Sequence, residues 1–261
     1  MKIAISGKGG VGKTTLAAVL ARLYADEGRI VLAADVDPDA NLGLALGFSQ
    51  NELESITPVS KMRELIVERT AADSEGLNIF YKINPKVDDI PDRFALEKNG
   101  VRLLVMGTVE TGGAGCVCPE HVVLRRLISH LVIQRDEVVI MDMEAGLEHL
   151  GRGTADSMDQ FIAVIEPGVR SVQTYRQIQK LANDLGIRRV SVVANKVRNE
   201  ADEAFLRREI PQQELLGIIH YSSVVAEADR EGRSPYDTAP ETVAEIRMIK
   251  QKIDQKEQEE V

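Results

Sequence analysis

The chain has 261 residues, of which 44% are hydrophobic and 28% charged, a composition typical of a globular protein and not of a disordered one. Acidic residues outnumber basic residues by 41 to 32, which excludes the broad cationic field that attracts nucleic-acid backbones or anionic membranes. No segment approaches the ~18 consecutive apolar residues of a membrane span and no signal peptide is recognisable, so we expect a cytoplasmic protein that binds neither nucleic acid nor membrane.

Short apolar runs alternate with longer amphipathic stretches, a pattern typical of βα units that build a mainly parallel sheet. The predicted strands are 3–6, 30–34, 77–83, 101–106, 138–142, 161–165, 190–195 and 215–219. The predicted helices are 13–27, 119–133, 172–185, 200–208, 224–231 and 240–256. We therefore predict an α/β fold with a single doubly wound, mainly parallel sheet of about eight strands. The whole chain, 1–261, is predicted to be one domain with a frayed, charged tail near 251–261.

A glycine-rich segment lies between the first predicted strand and the first predicted helix. It reads GKGGVGKTT and matches the P-loop spacing of one glycine, four residues and then Gly-Lys-Thr. Backbone N–H groups of such a loop surround phosphate oxygens, the helix N-terminus adds partial positive charge, and the lysine neutralises the outer phosphates. We therefore predict an ATPase that binds ATP or ADP here, with Thr14 as a Mg²⁺ ligand. The predicted nucleotide-binding residues of the loop are Gly7, Lys8, Gly9, Gly10, Val11, Gly12, Lys13, Thr14 and Thr15.

Two acidic segments that follow apolar strands are predicted to complete the phosphate site. Asp37 lies in the sequence DVDPDAN after the second strand, and Asp142 ends the strand 138–142, as in a Walker B strand. Carboxylates at these positions bind Mg²⁺ directly or through water and orient the attacking water molecule. The segment 144–153 is then the loop that responds to the γ-phosphate. A helix N-cap or a solvated turn is the alternative for either acid.

Asn195 and Lys196 end another apolar strand. Side chains at the carboxyl ends of parallel strands line the ligand crevice, so we expect both residues in the nucleotide site. A turn asparagine is the alternative for Asn195.

Lys8 directly follows the first glycine of the loop, where an ordinary P-loop does not require a lysine. With this lysine the segment resembles the deviant Walker A family, which includes the nitrogenase iron protein, MinD, ParA and the arsenite-pump ATPase. The resemblance implies that Lys8 reaches the partner's nucleotide in an ATP-dependent dimer. It also implies that Asp37 is the catalytic aspartate and that Asn195 hydrogen-bonds the base. A solvated charge is the alternative for Lys8.

The two cysteines, Cys116 and Cys118, lie between a glycine-rich turn and the helix 119–133. In an extended backbone both thiols face the same side, and the adjacent helix N-terminus favours the thiolate forms that metals require. Two thiolates do not fill a four-coordinate site, whereas a symmetric dimer supplies four. We therefore predict a site at the dimer interface for Ni²⁺ or Zn²⁺ or, by the same count of ligands, for a [4Fe–4S] cluster, with two structural thiols without a metal as the alternative. His121 is a candidate additional ligand, against a plain surface histidine.

The Cys-x-Cys motif, together with DMEAGLEHLGRGTAD at 142–156 and VIEPGVRSVQT at 164–174, is similar to the CooC-type ATPases that mature nickel carbon-monoxide dehydrogenase. A close relative of that group serves acetyl-CoA synthase. The resemblance implies a nucleotide- and metal-dependent homodimer that couples ATP hydrolysis to nickel delivery into one of these client enzymes. Glu144 stands where many relatives are expected to have glycine.

Two other classes of function are alternatives. One is an iron–sulfur electron-transfer ATPase that resembles the nitrogenase iron protein, although that family takes its cluster ligands from two separate segments. The other is a positioning switch like MinD or ParA. The acidic C-terminal tail has the wrong charge for a basic membrane-anchoring helix, which argues against a membrane-attached switch.

Overall fold

A computed structural model of the protein describes residues 1–72, 81–107, 118–144, 154, 157–187 and 190–258. Within these residues the strands are β1 (Lys2–Ser6), β2 (Val31–Asp35), β3 (Leu96–Lys98), β4 (Val101–Val105), β5 (Val138–Asp142), β6 (Gln160–Ile165), β7 (Val190–Val197) and β8 (Leu215–His220). The helices are α1 (Lys13–Asp26), α2 (Leu42–Ala45), α3 (Gln50–Glu54), α4 (Arg63–Thr70), α5 (Ile90–Phe94), α6 (Pro119–Gln134), α7 (Val169–Leu185), α8 (Glu200–Glu209), α9 (Ser223–Arg230), α10 (Pro235–Thr238) and α11 (Pro240–Gln258), and a 3₁₀ turn spans Val59–Lys61.

The strands form one sheet in the order β3-β4-β2-β5-β1-β6-β7-β8. Neighbouring strands pair in parallel except β3, which is antiparallel to β4. The predicted fold class is therefore confirmed. Because the parallel strands all end at one edge of the sheet, the segments that follow β1, β2, β5 and β7 meet there, around the central strand β1.

The core lies on both faces of the sheet. Along β1, Ile3 and Ile5 belong to one buried cluster and Ala4 to the other, because successive side chains of a strand point to opposite faces. Helices α1 and α11 pack on the first face, and α6 and α7 pack on the second. Burial on both faces explains why the central strands are apolar without alternation. None of the described helices combines the length and the apolar character that a bilayer crossing needs.

Two predictions about secondary structure are wrong. Residues 81–83 of the predicted strand 77–83 do not form a strand, residues 77–80 lie outside the described part of the chain, and the eighth strand is the short β3. The tail that we expected to fray is helical as far as Gln258. Ile253 is fully buried in the core, and Lys252 donates a hydrogen bond to the Leu216 carbonyl at 2.6 Å, so packing on β8 outweighs the local charge density.

The buried position of Ile253 gives a stability prediction. We expect Ile253→Ala to lower the free energy of unfolding by about 2–5 kcal/mol, because the substitution leaves a cavity between α11 and the sheet. Urea denaturation of the metal-free chain measures this difference. Met248→Ala on the same helix is the control, since Met248 is 58% exposed. Equal denaturation midpoints for the two variants would mean that the end of α11 does not pack as described.

Candidate active site

The phosphate loop connects β1 to α1 at the carboxyl edge of the sheet. Two of its glycines lie too close to neighbouring atoms for any side chain. A Cβ at Gly7 would lie 2.5 Å from the backbone oxygen of Val164, and one at Gly12 would lie 2.1 Å from Nδ2 of Asn195. Gly12 also has a φ of 96°, in the left-handed region that favours glycine. The loop therefore needs these glycines in order to pack against β6 and β7, in addition to any need for glycine in binding phosphate.

Lys13 and Thr14 open helix α1; Lys13 contacts an acid two residues beyond the end of β2, and Thr14 contacts the acid that ends β5. The Nζ atom of Lys13 lies 3.3 Å from Oδ2 of Asp37, and the Thr14 hydroxyl donates a 2.6 Å hydrogen bond to Oδ2 of Asp142. Lys13 is buried, with 5% of its surface exposed. Four residues that the sequence predicted for the phosphate site are thus brought together, although they come from three separate segments.

The oxygen atoms at Thr14 and Asp142 are suited to Mg²⁺. Burial raises the pKa of Asp142 from its ordinary value of 3.8 to about 6, against the opposite effects of the Thr14 hydroxyl and the Lys13 ammonium. Its second oxygen, Oδ1, is buried and has no hydrogen-bond partner within the described residues. A carboxylate and a hydroxyl are the hard oxygen ligands that Mg²⁺ prefers, and a nearby divalent cation favours the ionised carboxylate. The residues present therefore fit the predicted metal.

Asp35 is a functional residue to which the sequence analysis assigned no role. It ends β2, is fully buried, and accepts hydrogen bonds from the backbone N–H of Leu42 at 2.9 Å and of Asp37 at 3.2 Å. Burial and, next, the neighbouring Asp142 carboxyl raise the pKa of Asp35 to about 7. The side chain thus fixes the segment that carries Asp37. The available signal was an acid at the last position of a wholly apolar strand, where a buried polar group must find partners.

A cleft with a volume of about 520 Å³ extends from the phosphate loop to the segment between β8 and α9. Its phosphate end is lined by Lys13, Thr14 and Asp37, and its far end by Tyr221 and Val225. Small-molecule sites typically measure about 300–1,000 Å³, so the volume is appropriate for a nucleotide. The cleft therefore connects the predicted phosphate site to a second wall that the sequence analysis did not identify.

Asn195 and Lys196 both line this cleft. The Asn195 amide donates to the Val11 carbonyl at 2.7 Å, and the Lys196 ammonium donates to the Gly10 carbonyl. The structure therefore places both residues against the phosphate loop, and the contact of Asn195 with the purine stays a prediction. Lys8 belongs to the same loop and is exposed, and no hydrogen bond or ion pair of its side chain is found in the described part of the chain.

Two predicted features lie partly outside the described residues. Cys116 belongs to the segment 108–117, which the structure does not describe, whereas Cys118 is the N-cap of α6 and is partly exposed. Of the γ-phosphate loop 144–153, only Glu144 is described; it is exposed, and its carbonyl accepts a 2.9 Å hydrogen bond from the Ser6 hydroxyl. Among the described residues no group of three metal-binding side chains is found. The Cys-x-Cys metal site therefore stays a prediction.

Comparison with known proteins identifies the family. A family model described as the CobQ/CobB/MinD/ParA nucleotide binding domain matches residues 2–236. The carbon monoxide dehydrogenase accessory protein CooC of Rhodospirillum rubrum is 49% identical over 92% of this chain and 91% of its own length. An uncharacterized ATP-binding protein of Methanocaldococcus jannaschii is 47% identical over 95% of this chain and 96% of its own length.

Solved structures support the fold. The MinC:MinD cell division protein complex of Aquifex aeolicus gives a TM-score of 0.66 at 17% identity and covers 98% of this chain and 96% of that one. The septum site-determining protein MinD of Pyrococcus horikoshii, complexed with Mg-ADP, gives a TM-score of 0.61 at 20% identity over 97% of this chain and 96% of that one. The chain therefore belongs to the CobQ/CobB/MinD/ParA family of nucleotide-binding P-loop ATPases, and within that family it is a CooC-type member.

Proposed function

We propose that this protein is an ATP-dependent metallochaperone. It dimerises, holds a Ni²⁺ or Zn²⁺ ion between the Cys-x-Cys motifs of two subunits, and supports nickel insertion into carbon-monoxide dehydrogenase or acetyl-CoA synthase. The observation that carries the proposal is the position of Cys118, at the N-terminus of a helix in a chain that also has a phosphate site. The 49% identity to an accessory protein of carbon monoxide dehydrogenase supports the choice of client.

The phosphate site binds ATP and prepares it for hydrolysis. Lys13 exchanges its partner Asp37 for the β- and γ-phosphate oxygens, and the N-terminus of α1 adds partial positive charge. When bound, Mg²⁺ neutralises charge on the transferred phosphoryl group, and Thr14 and Asp142 would hold it. The release of Lys13 leaves the Asp37 carboxylate available to orient the attacking water.

The dimer is proposed to form around the two nucleotides. Lys8 is exposed and lies in the loop that surrounds the phosphates, so its side chain can extend to a second subunit without losing any described partner. A lysine that reaches the phosphates of the partner's ATP gains an ionic contact only while a triphosphate is bound. Dimerisation therefore depends on the state of the nucleotide.

The metal is proposed as the cargo of this cycle. Helix α6 starts at Pro119, so the N-terminal end of its dipole lies beside Cys118 and favours a thiolate. Strand β4 ends at the edge of the sheet where the phosphate loop lies, and Cys118 stands directly before the next described helix, α6; this chain order supports a metal site on the side of the sheet that carries the phosphate loop. Closure of the dimer around ATP would therefore change the spacing between the cysteine pairs of the two subunits, and with it the affinity for metal.

Metal content and dimer fraction measured on the same samples test the proposal. For the wild-type chain with a non-hydrolysable ATP analogue we expect about one Ni²⁺ or Zn²⁺ per two chains, because two Cys-x-Cys pairs complete one four-coordinate site. The variant Cys116→Ala with Cys118→Ala should bind no stoichiometric metal. Without added nickel or zinc, its affinity for ATP should equal that of the metal-free wild type, which serves as the control for folding.

Undiminished nickel or zinc binding by the double variant would remove the cysteines from the mechanism. A wild-type chain that stays monomeric with every combination of metal and nucleotide would remove the metallochaperone function altogether. Iron and sulfide in anaerobically purified wild-type protein would instead indicate the electron-transfer alternative.

A further inference from the structure

Two side chains at the end of β7 are bonded to the backbone of the phosphate loop. The Nδ2 atom of Asn195 donates to the carbonyl oxygen of Val11 at 2.7 Å, and the Nζ atom of Lys196 donates to the carbonyl oxygen of Gly10. Asn195 is buried, with 8% of its surface exposed. Two consecutive peptide groups of the loop are therefore held by one dipeptide from a separate strand.

Holding a carbonyl also fixes an N–H group. In a trans peptide the C=O and the N–H point in opposite directions, so the bond to the Val11 carbonyl sets the direction of the Gly12 N–H. The bond to the Gly10 carbonyl likewise sets the direction of the Val11 N–H, which donates a 3.3 Å hydrogen bond to the Lys8 carbonyl within the loop. A phosphate loop binds anions through N–H groups that converge on one point, and their convergence depends on these peptide orientations.

The conformation of Lys196 indicates that the contact is enforced. Its φ is 57°, in the left-handed region that residues other than glycine rarely adopt. The Asn195 Oδ1 atom accepts a 2.8 Å hydrogen bond from the Lys196 N–H, and Oε2 of Glu166 lies 3.8 Å from Nζ of Lys196. A strained residue of this kind persists where several contacts fix it, and such positions cluster at ligand sites.

We propose that Asn195 and Lys196 form a carbonyl clip, a pair of positioning residues that holds the phosphate loop in its anion-binding conformation. The clip acts on the phosphate loop itself. The Nδ2 and Oδ1 atoms of Asn195 each make one hydrogen bond within the protein and each keep one further hydrogen-bonding position, so the clip is compatible with a separate contact of Asn195 with the base. The inference goes beyond the proposed function, since it concerns the binding of nucleotide whether or not the protein carries a metal.

The variant Lys196→Met tests the clip, because it keeps an unbranched side chain that lacks only the terminal atom and thereby removes the ammonium donor. We expect the Kd for Mg-ATP to rise about tenfold, with KM raised by a similar factor and kcat nearly unchanged, since the loop binds substrate and transition state alike. Inorganic tripolyphosphate, which has no base, should lose affinity by the same factor. Isothermal titration calorimetry and steady-state turnover measure these quantities.

Three further variants separate the clip from other roles. Lys196→Arg keeps a charged donor and should restore most of the affinity, and Lys180→Met, the same change at an exposed site on α7, should have no effect. Lys196→Gly removes both the donor and the left-handed strain, so it should weaken ATP binding while keeping the wild-type midpoint of urea denaturation. A merely structural lysine would not give this combination.

Two outcomes would overturn the proposal. One is an unchanged Kd for both ligands in Lys196→Met and in Asn195→Ala. The other is a loss confined to Mg-ATP in Asn195→Ala, with tripolyphosphate unaffected, because that result would assign Asn195 to the base. Metal stoichiometry at the cysteines is a separate measurement, so failure of the clip leaves the metallochaperone proposal as it stands.

Discussion

Asp37→Asn is expected to slow ATP hydrolysis strongly and at the same time to strengthen ATP binding. The Asp37 carboxylate pairs with Lys13 at 3.3 Å, so ATP must compete with Asp37 for the ammonium group. Asparagine removes this competitor and keeps an oxygen that can accept the 3.1 Å hydrogen bond from the Asp39 N–H. It does not supply the negative charge that orients and activates water, so kcat should fall by about 10²–10⁴.

Tighter ATP binding together with slower hydrolysis would distinguish a catalytic role of Asp37 from a structural one. Calorimetry with a non-hydrolysable ATP analogue measures binding, and phosphate release measures turnover. Asp136→Asn is the matched control, because Asp136 is exposed just before β5, at the opposite edge of the sheet from the phosphate loop. If Asp37→Asn weakens binding and turnover by the same factor, Asp37 supports the site structurally and another group orients the water.

The central part of the fold could be predicted from sequence because its signals are local. Strand β5 reads VVIMD, and its bounds are as predicted, since a short apolar run that ends in an acid has few alternatives in an α/β chain. The same holds for the phosphate loop, whose spacing identifies Lys13 and Thr14 directly. The meeting of these residues with Asp37 and Asp142 follows from parallel pairing, which brings the ends of β1, β2 and β5 to one edge.

The features that sequence reasoning missed depend on contacts between distant segments. Strand β3 has only three residues, Leu96–Lys98, two of them charged, and it exists because β4 lies beside it as a pairing partner. The sequence at the end of α11 is typical of a solvated tail, and only the burial of Ile253 in the core shows that this segment packs on the sheet. The bonds from Asn195 and Lys196 to the phosphate loop join residues about 184 positions apart in the chain, and no local pattern encodes them.

The second substitution from which we expect a large effect is Asp142→Asn. It should change catalytic activity and the stability of the metal-free chain in opposite directions. The substitution removes the charge that would hold Mg²⁺, which supplies several kcal/mol of transition-state stabilisation in metal-assisted phosphoryl chemistry, so kcat should fall by about a hundredfold or more. Mg²⁺ should also cease to strengthen ATP binding. Titration of ATP into the variant with and without Mg²⁺ measures this loss, and the Mg²⁺-free affinity should be at least that of the wild type, because the variant lacks a negative charge beside the phosphates.

In the absence of metal, Asp142→Asn should stabilise the folded chain, although it lowers kcat. Burial raises the pKa of Asp142 in the folded chain from 3.8 to about 6, so the folded state binds the proton more tightly than the unfolded state does. The free energy of unfolding therefore falls as the pH rises through this range, and at pH 7 the ionised carboxylate destabilises the metal-free fold. The neutral asparagine avoids that penalty, so in EDTA at pH 7 the variant should unfold at a higher urea concentration than the wild type. A lower midpoint, together with Mg²⁺-dependent ATP binding, would show that Asp142 is a structural acid and that the metal is held elsewhere.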